Sequence, residues 1–234
     1  MTGIWAVVPV KELEGAKQRL APLLSSAQRR ALIEVMMGEV LEAVVEARSL
    51  AGVMVVTLDA QATALAKRLG ARVLTDGARE GHTGSVTAGL RLLAREGRAG
   101  MITLPADIPA ATPQEIDLVV AAHLPAPAFT ISPAHDELGS NAVICSPPDA
   151  VPLRFGDNSY FPHLDAARAQ GIEPTVMPQP GIAMDIDHPI DLASFLRLRQ
   201  SAGTRTRAFL EEIGVPKLLA EHGLIGPRAS GPHS

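Results

Sequence analysis

Short runs rich in β-branched residues, at 4–10, 53–58, 71–74 and 101–104, alternate along the first half of the chain with longer segments of helical period. Few folds accommodate that alternation, because strands separated by helices are joined as parallel neighbours in one sheet whose faces the helices cover. Beyond Ser25 and Ser26, residue types suited to capping, the segment to Arg48 sets Leu32, Val35, Met36, Val40 and Val44 on one stripe. That is the spacing of an amphipathic helix. Residues 61–69 and 86–95 read as further helices, giving three strand-to-helix repeats. Thr112, Pro113 and Glu115 stand as N-cap, first helical residue and N3, so a helix is expected over 113–123.

The second half is less regular. Residues 128–132 and 141–145 are strand-like runs separated by a polar loop, which predicts an irregular antiparallel insertion. Helices are expected over 159–170 and 189–197, a strand over 175–177, and an amphipathic helical piece over 205–222. The predicted class is α/β, with a mostly parallel mixed sheet covered by helices. A main domain over 1–200 is followed by a helical extension over 201–225 and a tail over 226–234 whose Gly, Pro and Ser mixture predicts disorder. The amphipathic extension has two possible partners, its own domain or a second subunit, and the latter gives a homodimer.

Composition narrows the function. With 234 residues, 47% of them hydrophobic, the chain builds one sizeable core. The 21 Lys and Arg against 25 Asp and Glu leave a net charge of -4, so no global basic surface is offered to nucleic acid or an anionic membrane. Phosphate binding must be local. Aromatic residues at 3% exclude the stacking platforms of single-strand binders. Cys145 is the sole cysteine, which rules out an intrachain disulfide and a multi-cysteine metal site and fits a reducing compartment. With neither a basic leader nor a run of about 18 apolar residues, the protein is expected to be cytoplasmic.

Three carboxylates follow apolar runs, where a strand's carboxyl end would carry them to the ligand-binding rim of an open α/β sheet. Asp107 lies between Pro105 and Pro109, in a loop stiffened ahead of a capped helix. Asp185 and Asp187 flank Ile186, and residues two apart in extended chain point the same way, so together the three can hold Mg2+. The competing reading makes Asp187 or Asp191 a cap of the helix after Pro189, and Asp107 a turn residue. Lys11, Lys17 and Arg19 follow the first strand and either neutralise a polyphosphate or form a solvated basic turn. Gly156 and Ser159 precede a helix, and Ser140 lies in a second hydroxyl-bearing turn; a small anion or ordinary capping accounts for either. His163 reads as a hydrogen-bonded structural histidine. No Gly-x-Gly-x-x-Gly, Gly-x-x-x-x-Gly-Lys or Gly-x-Ser-x-Gly occurs, which argues against common dinucleotide, P-loop and hydrolase sites.

In order, Trp5-Ala6-Val7-Val8-Pro9-Val10-Lys11, Ala16-Lys17-Gln18-Arg19-Leu20, Pro105-Ala106-Asp107-Ile108-Pro109, Phe155-Gly156-Asp157-Asn158-Ser159 and Met184-Asp185-Ile186-Asp187-His188-Pro189-Ile190-Asp191-Leu192 resemble the motif series of the CofC/FbiD guanylyltransferases. The series spans 5–192 and leaves the residues after about 201 outside it. The resemblance implies a single-domain, glycosyltransferase-A-like nucleotidyltransferase fold. It also implies transfer of GMP from GTP to 2-phospho-L-lactate, phosphoenolpyruvate or 3-phospho-D-glycerate in coenzyme F420 biosynthesis, with release of pyrophosphate. By the same resemblance Lys17 and Arg19, with Lys11, meet the nucleotide phosphates, and Asp107, Asp185 and Asp187 hold Mg2+. Ser140, Gly156 and Ser159 contact the phospho-acid. Gly81-His82-Thr83-Gly84-Ser85 replaces the family's Gly-Leu-Asn at the start of a nucleotide-facing helix, placing Thr83 against the nucleotide, and Ser140 stands where Thr is expected.

Overall fold

In the computed structural model, which describes residues 3–13, 15–156 and 158–225, the first apolar run seeds the parallel sheet. β1 (Ile4–Pro9) pairs in parallel with β2 (Gly52–Val56), and β2 with β3 (Arg72–Leu74). On the other side of β1 runs β4 (Gly100–Thr103), again parallel. The crossovers are α1 (Ser26–Glu46), α2 (Ala60–Arg68) and α3 (Gly81–Arg95). The Ser25 hydroxyl accepts from Gln28 N and the Gln28 side chain returns the bond, a reciprocal cap that fixes where α1 starts. Thr112 and Glu115 form the same box at the start of α4 (Pro113–Ala121), as their spacing predicts.

The antiparallel pair is no insertion. β6 (Ser140–Ser146) enters the sheet between β4 and β5 (Ala128–Pro133), antiparallel to both, and β7 (Thr175–Val176) closes the edge parallel to β5. The order is β3-β2-β1-β4-β6-β5-β7, with β6 alone reversed. Both strands of the pair are buried along their whole length, as strands covered on two faces must be. Ala142 and Ile144 join the core that also holds Ala6, Val8, Ile102 and the apolar face of α1; Val143 and Cys145 join the opposite core with Val7, Met101 and residues of α3. Cys145 is thus interior, and burial pushes its thiol up to about 12.

The remaining helices are α5 (Tyr160–Ala169), α6 (Pro180–Ala183), α7 (Pro189–Arg197), α8 (Arg205–Glu212) and α9 (Val215–Glu221). The amphipathic piece expected over 205–222 is two helices, because Gly214 between them takes a left-handed conformation at φ 77° that ends the first. The C-terminal helices cover their own domain: Leu210, Val215 and Leu219 are fully buried in the α1-side core, and Glu39 of α1 accepts bonds from Arg205 N, Thr206 N and the Thr206 hydroxyl at the start of α8. The expected disorder over 226–234 lies outside the described residues. Among the described residues, no helix is long and apolar enough to cross a membrane.

Reversal of β6 has a direct consequence for the site. The carboxyl ends of β1, β4 and β5 and the amino end of β6 meet at one edge, so loops distant in sequence converge there.

Candidate active site

A cavity of about 1200 Å³ opens at that edge, lined by every residue singled out from the sequence as a phosphate, metal or acid contact. Pockets for a single small ligand span about 300–1,000 Å³. This one exceeds that range.

Lys17 is part of its lining. The backbone there is left-handed, φ 53° and ψ 40°, an uncommon state for a residue with a β-carbon, just before a 3-10 turn at Gln18–Leu20. The ammonium Nζ stands 2.6 Å from Asp107 Oδ2 and 2.5 Å from Asp187 Oδ1. Burial alone would lower the pKa of Lys17, but the two carboxylates raise it above the ordinary lysine value, so the amine stays charged. Burial raises the Asp107 carboxyl above its usual range, with Lys17 opposing the shift.

The other expected ligand, Asp185, lines the same cavity but is bonded to other partners. Its Oδ1 accepts from Asn141 Nδ2 at 2.9 Å and lies 3.5 Å from His135 Nδ1. Burial alone would raise this carboxyl, yet the His135 and Asn141 bonds hold it below the ordinary range. Among the described residues no group of three or more His, Cys, Asp or Glu side chains is gathered to hold a metal ion. Two carboxylates do fit one: Asp107 Oδ2 and Asp187 Oδ1 converge on a single nitrogen, and hard oxygen donors of this kind suit Mg2+.

Local structure explains the aim of Asp187. Asp191, not Asp187, caps α7, its Oδ2 accepting from Asp187 N at 2.9 Å and His188 N at 2.6 Å. The Asp187 side chain is thereby free to face Lys17. Upstream, α6 presses against the start of α4: a β-carbon on Gly181 would lie 2.2 Å from Ala110 O and 2.3 Å from Glu115 Oε2. Glu115 accepts from Gly181 N, and Ile186 N donates to Asp107 O at 3.1 Å, tying the two carboxylate loops together.

Arg19 stands beside the pair, its Nη1 3.1 Å from His188 Nε2, while Lys11 is exposed at the rim. Thr83 lines the cavity, but its hydroxyl donates to Phe155 O at 3.2 Å and accepts from Phe155 N at 2.9 Å. It therefore anchors the 155 loop. α3 itself begins at Gly81, five residues before the expected 86, because Gly81 to Ser85 carries no apolar period to announce it.

Ser140 and Ser159 are both buried, with hydroxyl oxygens 3.2 Å apart. Neither plays the local role its sequence context suggests: Ser140 opens β6 instead of sitting in a turn, and the Ser159 side chain makes no cap bond to α5. Gly156 is exposed at the cavity mouth with φ 150°. His163 is a hydrogen-bonded buried histidine, as expected, placed between Ser140 and Arg154 N. Asn141, His135 and His188 join the site through partners far along the chain that local sequence does not reveal, although Asn141 adjoins Ser140 and His188 adjoins Asp187.

Solved structures share the architecture. A structure assigned as a nucleotide-diphospho-sugar transferase from Desulfovibrio desulfuricans G20 superposes with a TM-score of 0.73 at 18% identity, over 93% of this chain and 98% of that one. A nucleotidyl transferase from Methanothermobacter gives 0.57 at 18% identity, over 91% and 100%. Glucosyl-3-phosphoglycerate synthase from Mycobacterium tuberculosis, solved with Mn2+, UDP and phosphoglyceric acid, gives 0.53 at 14% identity, over 92% and 80%. Sheet order and rim together define a nucleotidyltransferase-like fold. The chain belongs to the CofC-like guanylyl transferase family, whose model matches residues 4–223. That match runs past Leu192 and brings α8 and α9 into the family pattern, correcting the expectation that residues after about 201 lie outside it.

Named relatives agree. Phosphoenolpyruvate guanylyltransferase of Rubrobacter xylanophilus is 36% identical over 204 residues, covering 87% of this chain and 97% of the relative. The 3-phospho-D-glycerate guanylyltransferase of Colwellia psychrerythraea is 32% identical over 186 residues, covering 80% and 88%. The 2-phospho-L-lactate guanylyltransferase of Methanothermobacter thermautotrophicus is 29% identical over 208 residues, covering 89% and 90%.

Proposed function

We propose that the protein transfers GMP from GTP to a three-carbon phospho-acid, namely phosphoenolpyruvate, 3-phospho-D-glycerate or 2-phospho-L-lactate, releasing pyrophosphate in coenzyme F420 biosynthesis. The observation that carries this reading is Lys17 Nζ held between Asp107 and Asp187 at 2.6 and 2.5 Å, in the same cavity as a buried pair of serine hydroxyls. A lysine ammonium with two carboxylates suited to a divalent cation, in one cavity with a hydroxyl pair, suits a cation-bound triphosphate and a smaller anion together.

The chemistry balances without a protein nucleophile. The second pKa of a phosphate monoester is about 6, so an acceptor oxygen is anionic near neutrality and attacks the α-phosphorus of GTP directly. The new O–P bond forms as the bond from the α-phosphorus to the bridging oxygen of pyrophosphate breaks, and pyrophosphate leaves with that oxygen. What the chain contributes is positioning and charge. Lys17 and Arg19 neutralise the triphosphate, with Lys11 at the rim. Ser140, Ser159 and the exposed backbone of Gly156 receive the acid. Thr83, placed by the resemblance against the nucleotide, fixes the Phe155 loop and with it the acid side of the cavity. Asp107 and Asp187 would hold Mg2+, with Asp185 behind them ordering Asn141 and His135. When bound, that ion would supply charge neutralisation on the phosphates and on the leaving group. The lone buried Cys145 accords with a reducing, cytoplasmic setting.

The test is pyrophosphate release by purified protein with Mg2+, each of the three acids, and GTP against ATP, CTP and UTP. Release with GTP and at least one acid, and none without acid, is expected; no release with any combination would overturn the reading.

A further inference from the structure

Behind the serine pair lies a hydrogen-bond chain whose direction the backbone fixes. Arg154 N donates to His163 Nε2 at 3.0 Å, and a main-chain amide can only donate, so Nε2 is the acceptor nitrogen. His163 is buried at 1% exposure, and burial lowers its pKa to about 4, so near neutrality the ring is uncharged and carries one proton. That proton is therefore on Nδ1, which donates to Ser140 Oγ at 3.1 Å.

The consequence falls on the hydroxyls. Ser140 and Ser159 together own two O–H hydrogens, and the bond between them uses one, whichever serine donates. Because His163 donates rather than accepts, the second hydrogen has no partner in this network. In the opposite tautomer the ring would accept that hydrogen, leaving the pair without a donor for an incoming anion. The same segment is clamped from outside: Thr83 bonds both polar groups of the Phe155 main chain, and the Phe155 ring packs 4.9 Å from His163 between centroids.

We propose that His163 is the positioning residue of the acid subsite, setting the polarity of the Ser140 and Ser159 pair so that its one free hydrogen is offered to the anionic acceptor. The inference rests on the reading of that pair as the acid contact. It predicts a selective effect, on the acid and not on the nucleotide.

The experiment measures KM for phosphoenolpyruvate, 3-phospho-D-glycerate and 2-phospho-L-lactate, and separately KM for GTP, in wild type, His163→Phe, His163→Asn, Ser140→Ala and Ser159→Ala, after thermal melting confirms folding. His163→Phe leaves the second hydrogen on the serine pair but removes the Nδ1 donor that fixes the Ser140 oxygen and so aims that hydrogen at the acid. It is expected to raise the acid KM about tenfold, the scale of one hydrogen bond to a charged group. KM for GTP should stay within about twofold. His163→Asn keeps an amide donor near the Nδ1 position and should restore most of the acid KM; a variant that merely loosened the fold would not be rescued this way. Should the phenylalanine variant not fold, His163→Leu takes its place in the comparison. An unchanged acid KM in the apolar variant, an equal rise in both KM values, or no rescue by asparagine overturns the inference while serine variants still impair acid binding. If both serine variants also leave the acid KM unchanged, the placement of the acid fails and the inference falls with it.

Discussion

Lys17 and Asp107 are 90 residues apart in sequence and 2.6 Å apart at their charged atoms. The same ammonium also meets Asp187, so one cation is the common partner of two carboxylates. Replacing it with the isosteric Lys17→Met removes a phosphate ligand and the internal counter-charge together. Turnover is expected to fall about 100-fold or more, the scale of one preorganised electrostatic contact, with the circular dichroism spectrum intact. In nucleotide-free protein the variant leaves both carboxylates open to a cation, so Mn2+ should bind more tightly, read from the loss of free-ion electron paramagnetic resonance signal. Equal or weaker Mn2+ binding would contradict the shared position of lysine and metal.

The carboxylates differ in environment and should differ in consequence. Asp107→Asn and Asp187→Asn each remove a charge that points at the common cation, and are expected to abolish Mg2+-dependent turnover without unfolding the chain. Asp185→Asn instead weakens the contacts with Asn141 and His135, and should cost activity less while lowering thermal stability. A rate near wild type in either of the first two, measured by pyrophosphate release, would remove that residue from the metal site.

Gly181 sets the spacing behind the same loop. A methyl there meets Ala110 O and the Glu115 carboxylate at 2.2 and 2.3 Å, and neither atom is the end of a free side chain, since Glu115 is bonded to Gly181 N and Thr112 N. Gly181→Ala should destabilise the protein by about 1–3 kcal/mol, as overpacking generally does. It should also lower turnover by displacing Asp185 and Asp187. Urea unfolding and steady-state rates measure the two effects.

Stability should carry a pH signature of His163. Its folded pKa of about 4 lies below the ordinary 6.5, so between those values the unfolded chain binds a proton that the folded chain does not. The contribution is complete above pH 6.5, is lost as pH falls toward 4, and is flat below. A shift of this size corresponds to about 3 kcal/mol at 1.36 kcal/mol per unit. His163→Phe lacks the proton site, so its stability deficit relative to wild type should shrink by about that amount between neutral pH and pH 4 in denaturant titrations. A constant deficit would show that the ring is not held neutral by burial.

Local signals were the readable ones. Ser25 with Gln28 and Thr112 with Glu115 place helix starts because a capping box is written in four consecutive residues. The parallel half of the sheet follows from its strand-to-helix rhythm. What the sequence did not show is non-local: β6 reads as part of an insertion because its partners β4 and β5 are chosen by burial on both faces, which leaves no alternation to read. The site divides the same way. Asp107, Asp187 and Lys17 are visible as polar residues after apolar runs, but that Lys17 bridges the two carboxylates depends on contacts across 90 and 170 residues. The competing reading of Asp191 as a cap is the one the fold adopts, and it is what frees Asp187. Ser159 looks like a cap and is instead bonded to Ser140, a partner 19 residues upstream.

The most direct measurement is phosphorus NMR of a complete reaction containing the protein, Mg2+, GTP and phosphoenolpyruvate, repeated with the other two acids. The account predicts two mutually coupled diphosphate resonances from a product joining guanosine to the acid, in one-to-one proportion with pyrophosphate. Guanosine diphosphate and orthophosphate with the acid unchanged, or no reaction with any of the three, would contradict it.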